Sequence, residues 1–434
     1  MNVKQVAINL ISQVDKGAYS NIALNETFKT LNINSKEKAF MTEIFYGVLR
    51  NKKFLDYIIE KNTKEIKKEW IRNLLRISIY QITFMDSDNK GIVWEATELA
   101  KKYSIAISKF INGTLRNYLK NKDSELKNLA DEKNYEVLYS IPKWFYNILE
   151  KQYRNENLKQ AITSLKKVPY LSVRVNKLKY TEKEFEEFLK EKDIQIIKKV
   201  DTVYYINSGL IINSEEFKTG KIIAQDASSY LAAKNLEVIP NELVLDICAA
   251  PGGKTAVLAE NMENRGEIIA IDIHQHKIKL IDTNMKKLGI DIVKATVMDA
   301  RNVNKQGRKF DKILVDVPCS GYGVIRKKPE ILYSKNRENI EELAKLQLEI
   351  LNSAADILKD GGELIYSTCT ITDEENTNNI KKFLEDRKEF KVEKLYIPKN
   401  VSGDYDSLGG FCINYKEEIM DNFYIIKLKK GEKC

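Results

Sequence analysis

The first part of the chain carries apolar side chains at helical spacing. One stripe repeats every three or four positions from Val3 to Val14, and a denser apolar set runs from Leu74 to Phe84. Such spacing is typical of amphipathic and buried α-helices. Further helices are predicted at Trp94–Tyr103 and Ile107–Leu119. We therefore expect residues 1–140 to form an all-helical domain.

A mixed pattern follows in residues 141–235. After a helical connector, short strand and helix patterns alternate: Tyr170–Val175, Glu182–Leu189, Ile194–Ile197 and Val203–Ile206. Period-two alternation predicts strands, and this spacing predicts a small α/β, RRM-like unit. Arg174 and Asn176 flank a strand residue, where they could contact phosphate or sugar. An ordinary edge strand would explain them equally well.

Apolar strands alternate with helices throughout residues 236–434. The predicted strands are Leu243–Ile247, Glu267–Ile271, Ile292–Val297, Lys312–Val317 and Gly362–Tyr366, with Lys388–Leu395 and Phe423–Leu428 as candidate last strands. This alternation predicts an α/β doubly wound, Rossmann-like domain with a mostly parallel sheet and right-handed crossovers. Ligands of such sheets bind outside the carboxyl ends of the strands.

Charge adds a possible partner for the helical part. The 434-residue chain has a net charge of +9, and residues 1–150 hold 24 Lys+Arg against 18 Asp+Glu. A helical domain with surplus positive charge could follow a phosphate backbone. A solvated helical bundle that only packs against the rest of the chain is the alternative.

Composition also restricts the setting of the protein. No apolar run approaches the roughly 18 residues that span a membrane, and the N-terminus lacks the apolar region of a signal peptide. Five cysteines without a CxxC pair favour a reducing, cytoplasmic location over a disulfide framework. The two histidines, His274 and His276, are expected to be ordinary surface residues, so we expect no metal site.

The stretch from Val244 to Thr255 predicts the ligand site. A buried strand runs into Ala-Ala-Pro-Gly-Gly and then into a helix, which brings backbone N–H groups close to a ligand. Cys248 stands where a P-loop needs glycine, and the Gly-x-Gly-x-x-Gly pattern is missing. A nucleoside site without a pyrophosphate fits best, with S-adenosylmethionine as its commonest ligand; a ligand-free structural turn is the alternative. Asp272, 19 residues beyond Gly253, would hold ribose hydroxyls.

Four acidic residues and two cysteines lie at predicted strand ends. Asp246, Asp272, Asp299 and Asp316 would surround one crevice, and Cys319 and Cys369 follow the fourth and fifth strands. A lone cysteine there is more often a small buried apolar residue. Two of them beside a nucleoside site favour a shared pocket, because strands four and five are normally neighbours.

One reaction requires this set of groups. Carbon 5 of cytosine is too weak a nucleophile to take a methyl group directly. A thiolate that adds at C6 turns C5 into an enamine carbon, and a group at N3 such as Asp316, if protonated, stabilises the developing charge. A base must then remove the C5 proton before the thiol leaves, and a second cysteine could assist.

The same motifs resemble a known enzyme family. Residues 244–255, 316–326 (Asp-Val-Pro-Cys-Ser-Gly-Tyr-Gly-Val-Ile-Arg) and 366–371 (Tyr-Ser-Thr-Cys-Thr-Ile) are similar to motifs of the RNA cytosine-5 methyltransferases of the Nol1/Nop2/Sun family. Four segments of the helical part resemble the NusB RNA-binding fold: Phe45–Arg50, Leu75–Ile77, Glu95–Ala96 and Lys109–Gly113. The resemblance covers essentially the whole chain.

The resemblance implies a role for each matching residue. Cys369 would attack C6, Cys319 would promote product release, and Asp316 would contact N3 and the methionine end of S-adenosylmethionine. Asp272 would take the ribose of the cofactor and Asp299 its adenine amine. The cofactor-binding set it implies is Cys248, Ala249, Ala250, Pro251, Gly252, Gly253, Lys254, Asp272, Asp299 and Asp316. Departures from the family pattern are Val317, Thr370, Lys277 and Asn422, and none removes a reacting group.

The resemblance further implies a substrate, 16S rRNA, with cytosine 967 of that RNA as the target. We also expect the protein to act as a monomer, without a membrane or a metal. Two other functions stay open at the level of the sequence. One is a cytosine methyltransferase for tRNA or another rRNA position, and the other is a non-catalytic RNA-binding or antitermination protein.

Overall fold

The computed structural model describes residues 2–131, 134–153 and 156–432. It divides the chain into two compact units, residues 1–166 with 325–336, and residues 167–324 with 337–434. The predicted division at residues 140 and 235 into three domains stays a prediction. In the described chain no helix is both long and apolar enough to cross a membrane.

The helices are numbered in chain order. They are α1 (Val3–Asp15), α2 (Ser20–Thr30), α3 (Ser35–Arg50), α4 (Lys52–Asn62), α5 (Glu69–Phe84), α6 (Asn89–Lys101), α7 (Ile105–Asp131), α8 (Tyr135–Leu138), α9 (Lys143–Gln152), α10 (Glu156–Lys166), α11 (Glu182–Glu191), α12 (Glu215–Lys218), α13 (Ala227–Lys234), α14 (Gly253–Asn261), α15 (Gln275–Leu288), α16 (Ile331–Ser334), α17 (Arg337–Asp356) and α18 (Thr377–Asp386). Short 3₁₀ turns occur at Leu210–Asn213, Ala300–Gln306 and Tyr322–Val324.

The strands are numbered in the same way. They are β1 (Leu171–Val175), β2 (Ile196–Val200), β3 (Val203–Ile206), β4 (Ile222–Ala224), β5 (Leu243–Ile247), β6 (Glu267–Asp272), β7 (Val293–Val297), β8 (Phe310–Asp316), β9 (Leu358–Thr368), β10 (Phe390–Glu393), β11 (Asp404–Tyr405), β12 (Phe411–Ile413) and β13 (Phe423–Lys430).

The first unit is an all-helical bundle, as the apolar periodicity predicts. The Val3–Val14 stripe lies in its core, together with the buried face of α5. Caps fix several helix starts: the Asn34 side chain and Glu37 form a capping box at α3, and the Asp88 side chain accepts backbone N–H bonds at α6. Such caps satisfy the N–H groups that a helix start leaves without partners.

A segment that lies much later in the sequence also belongs to this bundle. Residues 325–336, which follow the Cys319 loop, belong to the helical unit. The Ser20 backbone N–H donates to Glu330 Oε1 at 3.0 Å, and Arg50 Nη2 donates to the Arg326 carbonyl at 3.2 Å. The Tyr333 hydroxyl donates to the Ser140 carbonyl at 2.9 Å. The helical unit is therefore not a continuous stretch of chain.

The second unit contains two sheets. The small one is a four-stranded antiparallel sheet of order β2-β3-β1-β4, which confirms the small α/β unit. Arg174 and Asn176, for which phosphate or sugar contacts were one alternative, bond to protein instead. Arg174 forms a buried ion pair with Glu260, and Asn176 donates to the carbonyls of Gly220 and Leu288.

The large sheet is the predicted doubly wound sheet. Its order is β11-β12-β13-β9-β8-β5-β6-β7, and β10 pairs with β13. Strands β7, β6, β5, β8 and β9 run parallel, and β13 is antiparallel to β9. Apolar residues on both faces of the sheet build two core clusters. The fourth and fifth parallel strands, β8 and β9, are neighbours, as the sequence predicted.

Candidate active site

The carboxyl ends of the parallel strands lie in one row. The pairing places Asp316 opposite Ser367 and Asp272 opposite Val297, with β5 between β6 and β8. Asp246 lies one residue before the end of β5. Because all five strands end at the same edge, their polar end residues share one side of the sheet.

The turn after β5 is built around glycine. Gly252 has φ +97°, and a Cβ atom there would lie 2.9 Å from the Met285 side chain. Both the left-handed conformation and the close approach favour glycine at this position. Cys248 also has a positive φ, +60°, and the Ala249 N–H donates to the Ile271 carbonyl at 2.9 Å. The turn therefore lies tightly against β6 and α15 before α14 begins at Gly253.

Asp246 is fully buried beneath this turn. The Thr255 hydroxyl donates to its Oδ2 at 2.6 Å, whereas Oδ1 is buried and has no hydrogen-bond partner among the described residues. Burial raises the pKa of Asp246 to about 7, and the negative charge of Asp316 adds to this effect. Desolvation favours the neutral form of a carboxyl group. Burial also raises the pKa of the Cys248 thiol to about 12, so this cysteine is not an activated nucleophile.

Asp272 and Asp299 lie at the next two strand ends in different surroundings. Asp272 is buried, accepts the His274 N–H at 3.2 Å and lies 3.4 Å from Lys277 Nζ. Asp299 caps the turn after β7, and the Arg301 guanidinium donates to both of its oxygens. This hydrogen bonding by Arg301 lowers the pKa of Asp299. Asp299 therefore has a competing partner in this arrangement.

Lys254 connects the glycine turn to the end of β8. Its Nζ donates to Asp316 Oδ2 at 2.8 Å, and the Ser367 hydroxyl donates to Asp316 Oδ1 at 2.7 Å. Both oxygens of Asp316 accept hydrogen bonds, which is the pattern of a carboxylate rather than a carboxylic acid. Burial disfavours the charged Lys254, but the carboxylate of Asp316 outweighs it and raises the lysine pKa. The sequence predicted Lys254 and Asp316 for this site and overlooked Ser367.

The two predicted cysteines meet beside this pair. Cys319 Sγ and Cys369 Sγ are 3.1 Å apart. Gly323 holds the two loops together, because its N–H donates to the Cys369 carbonyl at 2.9 Å and a Cβ would lie 2.0 Å from the Asn422 carbonyl oxygen. The hydrogen bond with Cys369, followed by burial, raises the pKa of Cys319 well above the usual range. The charge of Cys369 also interacts with Lys254.

The geometry agrees with the donor and acceptor needs of S-adenosylmethionine. That cofactor carries an ammonium, a sulfonium and two ribose hydroxyls, all of which suit carboxylate acceptors. Asp246 Oδ1 is a buried acceptor without a partner, and Asp272 lies at the next strand end. At the Gly252 turn the backbone carries no side chain, so a ligand at the carboxyl ends of the strands can approach it closely. Among the described residues there is no group of three or more His, Cys, Asp or Glu side chains that could hold a metal.

Comparison with known proteins identifies the family. The model of the 16S rRNA methyltransferase RsmB/F family matches residues 233–429, the NusB family model matches residues 1–120, and the RsmF/B-like ferredoxin-like domain model matches residues 141–215. The chain is 33% identical to the probable ribosomal RNA small subunit methyltransferase B of Bacillus subtilis over 99% of both chains. It is 32% identical to ribosomal RNA small subunit methyltransferase B of Shewanella oneidensis, over 99% of this chain and all of that one.

A solved structure agrees over the same length. The protein PH0851 superposes with a TM-score of 0.84 at 30% identity, covering 99% of each chain. The chain therefore belongs to the ribosomal RNA small subunit methyltransferase B family, and the resemblance found in its motifs is confirmed. Its cofactor, S-adenosylmethionine, is also confirmed. The roles of individual site residues stay predictions.

Proposed function

We propose that this member of the family methylates carbon 5 of a cytosine in 16S rRNA through a covalent bond between Cys369 and C6. One observation carries the proposal: two cysteine sulfurs lie 3.1 Å apart beside the Lys254–Asp316 ion pair. Close relatives are named as small subunit rRNA methyltransferases, which supports the substrate. We further propose that the protein acts as a monomer in the cytoplasm, where this RNA is found.

The cofactor supplies a methyl group on a positively charged sulfur. In this proposal Gly252 and its neighbours would hold it, Asp272 would accept from its ribose hydroxyls, and Asp246 would offer an acceptor beneath the turn. The position of these groups at the strand ends supports this assignment. Asp299 can accept from the adenine amine only if it gives up part of its bonding to Arg301.

The Cys369 thiolate is the attacking group. Its sulfur forms a bond to C6, and the C5=C6 electron pair becomes available at C5 for the bond to the methyl group. The Lys254 ammonium, whose charge interacts with Cys369, favours the thiolate before attack. The target base must leave its stack to reach the sulfur.

Asp316 is proposed to contact N3 of the cytosine. A carboxylate that accepts two hydrogen bonds must gain a proton before it can donate one to N3. The Lys254 ammonium, 2.8 Å away, keeps its own proton because Asp316 raises its pKa, so the proton for N3 must come from solvent. Ser367 keeps the other carboxylate oxygen fixed, so the orientation of Asp316 is set before the base arrives. Such preorganised polar groups stabilise charge that develops during reaction.

Cys319 is proposed to assist release of the product. The C5 proton must leave so that the C5=C6 bond re-forms and Cys369 departs as a thiolate. The pKa of Cys319 is raised foremost by its hydrogen bond with Cys369. Once Cys369 is bonded to carbon it carries no negative charge, and this obstacle to losing the Cys319 proton disappears. Burial and the charges of Glu375 and Asp316 continue to oppose ionisation of Cys319, so we propose that it assists removal of the C5 proton only after attack, when its pKa is lower than before.

The two cysteines can be separated by substitution. With radiolabelled cofactor and a 16S rRNA fragment, Cys369→Ala should form no adduct and transfer no methyl group, because no thiolate reaches C6. Cys319→Ala should attack and methylate but stall before elimination, leaving a protein–RNA species that survives denaturing electrophoresis. Cys412→Ala, which changes a half-buried cysteine on β12, is the matched control and should behave as the native chain.

Each other outcome has a meaning. An adduct in Cys369→Ala and none in Cys319→Ala would exchange the two roles. Full activity in both variants would refute the covalent mechanism. Methylation of tRNA or of another rRNA position, but not of 16S rRNA, would show that the substrate is a different RNA. Cofactor binding without methylation of any RNA would favour a non-catalytic RNA-binding protein.

A further inference from the structure

A fully buried carboxylate lies between the two cysteine loops. Glu375, six residues after Cys369, is completely inaccessible. Its Oε1 accepts the Ser320 backbone N–H at 2.8 Å, so it holds the residue that directly follows Cys319. Its Oε2 accepts the Thr372 hydroxyl at 2.7 Å, which lies in the loop that Cys369 begins. One side chain therefore joins both loops.

Two further donors complete the coordination of this carboxylate. The Ser320 hydroxyl donates to Oε2, and Gln347 Nε2 donates to Oε1 at 2.9 Å. Four donors match the roughly four acceptor positions of an ionised carboxylate. Because the Ser320 hydroxyl gives its proton to Glu375, the bond of 2.6 Å between Ser320 and Thr370 must run from the Thr370 hydroxyl.

The same network reaches a rigid helix and the central sheet. Gln347, buried on α17, donates also to the Pro318 carbonyl at 2.9 Å. The Tyr366 hydroxyl on β9 donates to the Glu375 carbonyl at 2.6 Å. The residues before and after Cys319 are thus both tied to groups fixed by secondary structure. Fully satisfied buried networks of this kind rigidify their surroundings.

We infer that Glu375 is a positioning residue that sets the distance between the Cys319 and Cys369 sulfurs. This inference rests on the proposed function for its catalytic meaning, although the geometry can be tested separately. Glu375 itself contacts neither sulfur in the bonds described above; it acts through Ser320 and Thr372. Its negative charge also opposes ionisation of Cys319 and so contributes to the raised pKa of that thiol.

Substitution of Glu375 should loosen the contact between Cys319 and Cys369 but leave cofactor binding unchanged. We would compare Glu375→Ala and Glu375→Gln in the full chain, with Glu374→Gln as the matched control one residue away. Three quantities would be measured: the dissociation constant of S-adenosylmethionine, the single-turnover methylation rate, and the rate at which diamide joins Cys319 to Cys369. Diamide takes one hydrogen from each thiol and is reduced to the hydrazine as the disulfide forms.

The expected result is a split between binding and chemistry. Glu375→Ala should bind the cofactor within about twofold of the native chain, while methylation falls by up to about 100-fold, a loss that an ångström of misplacement can cause. Disulfide formation should slow by about tenfold or more, because the sulfurs spend less time in contact. Glu375→Gln keeps one acceptor oxygen and should fall between the two, and Glu374→Gln should match the native chain.

Unchanged methylation and disulfide rates in variants that bind the cofactor would overturn the inference. If Glu375→Ala fails to bind the cofactor, Glu375→Gln becomes the decisive variant. Loss of cofactor binding in both variants would show that Glu375 has a general structural role and would overturn the inference. The proposed function fails in a different way: a native chain that forms the disulfide quickly but methylates no cytosine would refute the reaction and leave the positioning role intact.

Discussion

Replacement of Asp246 by asparagine should change how stability depends on pH. Asp246 is completely buried, with one hydrogen bond from Thr255 and one oxygen without a partner. Its pKa is raised from 3.8 to about 7, chiefly by burial. Above neutral pH the native chain therefore carries a buried negative charge on Asp246, which lowers its free energy of unfolding. Asparagine removes the charge and keeps an oxygen that can accept from Thr255.

The sign and size follow from proton linkage. Between pH 4 and 7 the folded state holds a proton on Asp246 that the unfolded state has lost, so folded-state stability falls as the pH rises through this range. One pKa unit corresponds to about 1.4 kcal/mol, and because Asp246 is already half ionised at pH 7, the change between pH 5 and pH 7 amounts to about 2 kcal/mol. The difference in unfolding free energy between Asp246→Asn and the native chain should shift by about this amount in favour of the variant.

The assay must report on the catalytic unit alone. All three tryptophans lie within residues 1–166, so tryptophan fluorescence would follow the helical unit. Amide hydrogen exchange of β5, compared between variant and native chain at the same pH, follows the required region. Asp311→Asn is the control, because ion pairing with Lys359 overcomes burial and lowers the pKa of Asp311. Its effect should be constant between pH 5.5 and 8, and a pH-independent difference for Asp246→Asn as well would refute the reasoning.

Two further predictions concern the ligands. Asp272→Ala should raise the dissociation constant of S-adenosylmethionine about tenfold or more, since a charge-assisted contact contributes about 1.5–3 kcal/mol; calorimetry with exposed Asp282→Ala as control would remove Asp272 from the site if affinity were unchanged. Replacing the exposed Lys64, Lys67 and Lys68 by glutamine should weaken rRNA binding. It should also reduce the slope of the logarithm of the binding constant against the logarithm of the salt concentration by up to about two or three, because fewer counterions are released. An unchanged slope would mean that these lysines form only a solvated surface.

Periodicity predicted the central sheet because its strands are buried on both faces. β5 was predicted with its observed ends, Leu243 and Ile247, since turn residues bound it on both sides. β9 was predicted only from Gly362 to Tyr366, but it runs from Leu358 to Thr368 and includes Asp360 and Gly361, residue types that strands disfavour. Local pattern cannot distinguish a turn from an irregular strand start when pairing with a neighbour decides the outcome.

Contacts between distant parts of the chain could not be predicted in this way. The bond from Ser20 to Glu330 joins residues 310 positions apart, so no local window contains both. The site shows the same limit. Motifs identified Lys254, Asp316 and the two cysteines, whereas Glu375 follows Asp373 and Glu374 in the sequence and was not singled out. Only burial and its four donors distinguish it, and both depend on the tertiary fold.

The choice between the two cysteines illustrates what the structure adds. Both thiols follow neighbouring strands, and sequence spacing alone does not say which one attacks. Their electrostatic surroundings differ: the Lys254 ammonium interacts with Cys369, whereas the buried charge of Glu375 acts on Cys319. A cation favours a thiolate and a neighbouring anion opposes it. In the proposed mechanism this difference would let Cys369 lose its proton first, and Cys319 would act afterwards in release of the product.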